Sequence, residues 1–490
     1  MPKRPVKKAK LKGLLRRRVR RGRSKSTNDS ATGGLCAAAS GGTRRFGNVF
    51  TLGYKPKGQA GARGLFLSSL SLPPAASASV LAFPRHTALA LSLFFLRLFL
   101  LRLFLSGTVF LLASALLLIP VPPLEALPDG EVRALWVLRN TLVSRATVDR
   151  MLSQARESGF NVLLVQVRGR GDALYESSIE PRSELLADQR LDTLAYLISE
   201  AHKQGLEVHA WLNVFFVWAA PQPPLDERHV VRSRPDWVAV RSDGRSLLGL
   251  SRREIDAMGI EGVFLAPGNP EVREHLRAVV RELIQRYPID GIHLDYVRYP
   301  NMDVGFDAAT RTEFMRAYAV DPLELVTDSE ELVELLGKKG VVDLRGRWSE
   351  WRARDVESLV QALSSDIKEL NPSLELSAAV VPDVHSAVVK HAQNWPSWLE
   401  QGILDFAVPM CYSASTQTVT NQVTAIKNLI GADRFYPGIA MYNQSSSRVV
   451  EKMRALRRIG VRGFSMFCYD PEHSRRHIFR ALSRSVFSSP

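Results

Sequence analysis

From residue 131 onward the chain alternates short apolar runs with longer amphipathic ones, the pattern of strands feeding crossover helices. Strands are predicted at 132–139, 160–168, 206–215, 291–299, 374–382, 404–412, 435–442 and 463–469. Helices are predicted at 144–158, 191–204, 270–287, 348–370, 396–401, 419–430, 448–459 and 475–486. In 270–287, Val272, Leu276, Val279, Val280, Leu283 and Ile284 recur on one helical face. Asn269 suits its N-cap, Pro270 its first turn, and Glu271 and Glu274 its positive end. Gly159, Gly205, Gly402, Gly431 and Gly460 each follow a helical run, where a left-handed stop is common. Eight parallel strands with eight helices predict an α/β fold, a (β/α)8 TIM-type barrel with long insertions after strands three and four, near 216–264 and 300–347.

Chemistry in such a barrel sits at the C-terminal strand ends, and these ends are polar. The first offers Arg139 and Asn140, the second Gln166, Arg168, Arg170 and Asp172, the third His209, Trp211 and Asn213. The fourth, within Asp290-Gly291-Ile292-His293-Leu294-Asp295-Tyr296-Val297-Arg298-Tyr299-Pro300, is the richest. Strand alternation puts His293, Asp295, Val297 and Tyr299 on one face and Tyr296 and Arg298 on the other. The later ends give Asp383, Tyr412, Tyr442 with Asn443, and Tyr469 with Asp470. A carboxylate delivered by an apolar strand is costly unless paired or used. Asp295 is therefore either a salt-bridge partner of a nearby Arg or a reacting group.

Several runs resemble the bacterial glycosyl-hydrolase-like ten family: Val165 to Tyr175, Glu200 to Asn213, Phe264 to Pro270, Gly291 to Pro300 and Val408 to Tyr412. The resemblance covers roughly 131–470. It implies a (β/α)8 glycosidase acting on bacterial cell-wall glycan, including peptidoglycan strands without stem peptides. Carried over by position, Asp295 matches the family's strand-four carboxylate, and Arg168, Asp172, His209, Asn213 and Tyr412 match its polar rim. A partial likeness to the chitinase motif aligns Asp290, His293 and Asp295, but Val297 stands where that motif has its acid. Asp295 is then the leading carboxylate for acid or nucleophile.

Glycoside hydrolysis ordinarily uses two carboxyl groups. Candidates for the second are Asp172, Asp383 and Asp470, with a substrate acetamido group as a substitute. Substrate contacts are expected from Arg168, His209, Asn213, His293, Arg298, Tyr299, Tyr412, Tyr442 and Trp218; the two histidines would also tune acidity. All eight Trp follow residue 130, and rim-loop indoles suit stacking on sugar rings.

Charge is confined to one end. The formal net charge is +16, yet residues 1–128 hold 21 of the 65 Lys and Arg against only Asp29 and Glu125, so the barrel segment is nearly neutral. Three segments are expected: a basic low-complexity leader at 1–90, without fixed structure or read from an upstream start; a signal peptide or membrane anchor at 91–126; and the catalytic domain at 127–490. The leader lacks the aromatic interleaving of a nucleic-acid binder, and no nucleic-acid or protein partner is inferred. Arg97 and Arg102 precede the uncharged run 103–119, which places the barrel outside the cytoplasm: periplasmic, secreted, or held at the membrane if the run stays uncleaved. The three Cys, without CxxC or HExxH, support neither a metal nor a disulfide, and no dinucleotide loop calls for a cofactor. Two classes remain: an exported glycoside hydrolase, or a barrel that binds glycan without cleaving it, with other carbohydrate-active chemistry a weaker third.

Export gives the first prediction. Protein recovered outside the cytoplasm begins near Leu127 or retains 103–119, as N-terminal sequencing would show; a soluble cytoplasmic chain beginning at Met1 would contradict it.

Overall fold

The computed structural model describes residues 130–487, apart from 187–189, 221, 328 and 474; the leader and the 103–119 run lie outside the described residues. Eight parallel strands, β1 (Val132–Val137), β2 (Val162–Arg168), β3 (Glu207–Asn213), β4 (Gly291–Asp295), β5 (Glu375–Val380), β6 (Phe406–Pro409), β7 (Gly438–Ala440) and β8 (Gly463–Tyr469), form one sheet. Apart from β6 and β7, each pairs with its neighbour in sequence, and β1 pairs with β8 from Val132↔Gly463 onward. Single bridges Ala407↔Phe435 and Met410↔Gly438 bring β6 to β7, so the sheet closes on itself. Every predicted strand is present, in most cases shorter than expected.

The helices run antiparallel to the strands outside the ring: α1 (Arg145–Glu157), α2 (Thr193–His202), α3 (Pro270–Arg286), α4 (Glu330–Leu370), α5 (Val384–His391), α6 (Trp395–Glu400), α7 (Thr416–Ile430), α8 (Ser446–Ile459) and α9 (Arg476–Ser485). Their starts are fixed chemically. Asn269 accepts from the Glu271 amide at 2.9 Å, and Ser144, Asp192, Ser415 and Ser445 cap α1, α2, α7 and α8 in the same way. The expected helix at 396–401 is one of two, because Ala392 turns left-handed (φ 54°) and separates α5 from α6.

Period-two alternation divides the core into two shells. Ala134, Trp136, Leu164, Trp211, Ala379, Phe406 and Val408 fill the inside of the ring. Leu135, Val137, Leu163, Val165, Leu212, Ile292 and Leu294 face outward and pack under the helices. Between β3 and β4 the chain builds an antiparallel ribbon from Phe216–Trp218 and Val263–Phe264. Between β4 and β5 it forms short helices Ala308–Tyr318 and Pro322–Val326, then the long α4, broken at Gly337 (φ 71°). That segment has its own apolar cluster, in which Phe314 meets Trp348 at 5.1 Å.

β4 was expected to continue to Tyr299 but ends at Asp295, because Tyr296 adopts φ 52°. A left-handed bulky residue is unusual and persists only when its surroundings fix it. Here Phe216 stacks on the Tyr296 ring at 4.9 Å and Phe264 meets it edge-on at 5.8 Å. The face alternation read from the sequence therefore stops at Asp295.

The ring's two ends are joined by charge. Arg457 of α8 grips Glu131 with two bonds of 2.8 and 2.7 Å, both side chains nearly excluded from water. Removing one partner of a buried pair leaves an uncompensated charge. Glu131→Ala should lower the unfolding free energy by about 3–5 kcal/mol in a denaturant melt; a loss under about 1 kcal/mol would show that closure does not depend on the pair.

Candidate active site

The carboxyl of Asp295 emerges from β4 beside Asn213 of β3, its register partner, and is half-buried at the floor of the C-terminal mouth. Its Oδ1 accepts from the Tyr296 amide at 2.7 Å. Burial pushes its proton affinity up to about 6, the charge of Glu261 adding to the rise while the Tyr296 amide and Arg298 oppose it. A carboxyl so placed exchanges protons near neutrality, as a general acid must.

Near it stands Tyr412, whose phenol ring lies 6.4 Å from that of Tyr442, and on the first strand's rim Arg139 donates to Gln166 Oε1 at 3.2 Å. Burial, and then the charge of Asp295, hold the Tyr412 hydroxyl well above its ordinary range and so protonated. Tyr442 is the more open, with 44% of its surface exposed. On the other flank Arg298 binds Glu261 at 2.9 Å and lies 5.2 Å over the Tyr296 ring. Asn213 belongs to the rim but its amide is fully engaged, donating to the Gly169 carbonyl at 2.8 Å and accepting from Trp211 Nε1 at 3.1 Å.

Several expected site residues are elsewhere. Arg168 does not reach the cleft, because β2 slips register between Gln166 and Arg168 and turns Arg168 to the outer wall, opposite Leu212. There it pairs with Glu180 at 2.9 Å and donates to the Asn213 and Val214 carbonyls. Burial opposes ionisation of Glu180, but Arg168 and His275 outweigh it and bring its carboxyl down to about 2. His209 is the third residue of β3 and lies toward the opposite end of the barrel, next to Gly291. His293 is sealed in the middle of the ring: Nε2 accepts from Trp136 Nε1 at 3.0 Å and Nδ1 meets Ser377 Oγ at 2.9 Å. Burial, then His209, push its proton affinity down to about 3, so it is neutral. Tyr299 is buried under Arg352, its hydroxyl 3.5 Å from Asp355. Trp218 is packed between His229 and the Arg170 guanidinium, leaving no open face for a sugar.

The candidate second carboxyls all have work in the fold. Asp172 accepts from the Arg170 amide at 2.9 Å and from Ser183 Oγ at 2.6 Å. Asp383 is the exposed N-cap of α5, accepting from Ser386 at 2.7 Å. Asp470 binds Asn140 at 3.1 Å and His473 at 2.8 Å. An acidic side chain that acts electrically on Asp295 is Glu261, which the sequence did not single out. It precedes the second ribbon strand, in a segment without periodic pattern; the Arg298 that anchors it was the available signal.

Residues 131–450 match the family described as glycosyl hydrolase-like 10. The chain belongs to that family. Glycosyl hydrolase YngK of Bacillus subtilis (strain 168) is 24% identical over 322 residues, 59% of this chain and 55% of that protein. Glycosyl hydrolase DigH of Escherichia coli (strain K12) is 25% identical over 342 residues, 64% of this chain and 69% of that protein. The chain thus spans about half the length of the first relative. Among solved structures, the PgaB (BpsB) glycoside hydrolase domain from Bordetella bronchiseptica superposes with a TM-score of 0.55 at 13% identity, covering 72% of this chain and 99% of that domain. That similarity shows a shared barrel fold.

The raised Asp295 carboxyl has a consequence for stability. Below about pH 4 both folded and unfolded chains hold the proton; between about 4 and 6 only the folded chain does, so stability falls as pH rises through that window and stays reduced above it. Asp295→Asn removes this penalty. Its melting temperature relative to the parent should rise from pH 4 to pH 7, by about 1–2 kcal/mol of stability after discounting for solvent; a pH-independent difference would remove Asp295 from a strained environment.

Proposed function

We propose that the protein is an exported glycoside hydrolase that cleaves glycosidic bonds in a bacterial cell-wall polysaccharide of the peptidoglycan type, with Asp295 as the proton donor to the leaving oxygen. The observation that carries this reading is the Asp295 carboxyl, held near 6 at the cleft floor. A group that is half protonated near neutrality can give its proton to a glycosidic oxygen and recover it from water. Glu261, ion-paired to Arg298, is the second carboxylate in this scheme. Tyr412 and Tyr442 supply ring faces and hydroxyls for the sugar. Family membership supports the reaction class. The cell-wall substrate rests on the motif resemblance, and export on the run 103–119 behind Arg97 and Arg102.

The rival is a barrel that holds glycan without cutting it, favoured by Val297 at the position where the chitinase motif carries its acid. Incubation with peptide-free peptidoglycan strands, followed by mass spectrometry for new reducing ends, separates the two. Cleavage is expected from the parent protein and should fall by two or more orders of magnitude in both Asp295→Asn and Glu261→Gln, roughly the scale of general acid–base catalysis, while glycan binding survives. Turnover should also decline as pH rises above about 6, as Asp295 loses its proton. Intact strands with measurable binding by the parent would favour the rival. Near-normal turnover in Glu261→Gln would assign the second role elsewhere.

A further inference from the structure

The opposite, N-terminal mouth of the barrel holds a second constellation that the proposed reaction does not use. His209, Gly291 and Glu375 are register neighbours on β3, β4 and β5. Gly291 is required there: a Cβ at that position would come within 2.4 Å of His209 Nδ1. The gap left by the glycine lets the imidazole lie across β4, 99% buried, with Nε2 directed at two carboxylates. Glu207 Oε2 and Glu375 Oε2 each stand 3.8 Å from it, and the three donor atoms lie within 4.8 Å of one another.

Among the described residues, neither nitrogen of His209 has a hydrogen-bond partner. A buried imidazole without one is unfavourable, and native interiors rarely leave such a group unmet. An imidazolium clamped by two glutamates would draw them to ordinary hydrogen-bond distance, near 2.8 Å. Both stand farther off, close to the separation of roughly 3.3–3.5 Å that two ligands of a tetrahedral ion at about 2.0–2.2 Å impose.

We propose that Glu207, His209 and Glu375 form a divalent transition-metal site, of the zinc class, that fastens the start of β3 to the start of β5. One imidazole nitrogen with two carboxylate oxygens suits zinc and its first-row neighbours better than calcium or magnesium. The two glutamates are exposed, so the ion enters from solvent and a water completes the set. The site lies at the far end of the barrel from Asp295, and its role is structural. Sequence motifs for zinc miss it because two ligands sit two positions apart on β3 and the third lies 166 positions beyond His209, on β5.

The test uses full-length protein in detergent, stripped with chelator and titrated with zinc chloride by calorimetry. One equivalent is expected, with a rise in melting temperature on loading. Glu207→Gln/Glu375→Gln, at exposed positions, should fold and melt like the stripped parent, bind zinc at least about a hundredfold more weakly, and show no thermal response to it. Loading with cobalt should give a visible absorption band in the parent that the double variant lacks. Absence of zinc binding by the folded parent would overturn the proposal. So would binding that persists in the double variant and disappears in His473→Gln, since Asp470, Glu472 and His473 form the other such grouping among the described residues.

Discussion

Tyr296 is held at a positive φ by the two aromatic rings of the ribbon, Phe216 and Phe264, and the course of the chain past Asp295 at the C-terminal mouth follows from that hold. Were the backbone to continue extended, the residues after Asp295 would go on pairing and alternating along the wall. Instead the chain turns, the Tyr296 amide folds back onto the carboxyl it follows, and Arg298 is delivered to Glu261 rather than to the barrel interior. The ribbon is thus more than a cover. By fixing one strained residue it sets the direction of the Asp295 side chain and brings a second acidic group beside it.

The barrel was legible because burial on two faces leaves an unmistakable apolar run for each strand, and caps such as Asn269 mark where helices begin. The site was legible only where regular alternation held. Asp295, Tyr412 and Tyr442 sit where the strand ends put them. Arg168 was misplaced by a register slip that no residue type announces, and Tyr299 by the turn at Tyr296. His209 was assigned to the wrong end because it shares a strand with Asn213, four residues and one barrel height away. Glu261 comes from a segment whose conformation is decided by packing on Phe216 and Trp218 rather than by any local pattern.

Down the inside of the ring runs a polar column rather than a purely apolar filling. His293 bridges Trp136 and Ser377 in the middle layer, so indole, imidazole and hydroxyl satisfy one another without water. Its neutrality matters above it. A charged imidazolium one layer below Asp295 would favour the carboxylate form, whereas a neutral ring leaves desolvation to govern.

The joint between Glu131 and Arg457 brings together residues that leave the ribosome 326 positions apart, and the last helix is bound into the same joint, with Phe479 and Phe487 against Phe160 of the second β/α unit. Strand β1 therefore lacks one edge, and α1 and β2 lack part of their cover, until β8 and α9 have been made. For a chain of this order synthesis and folding cannot proceed in step: the first strand emerges early and waits, its open edge in need of protection, until Arg457, β8 and α9 arrive to shut the ring.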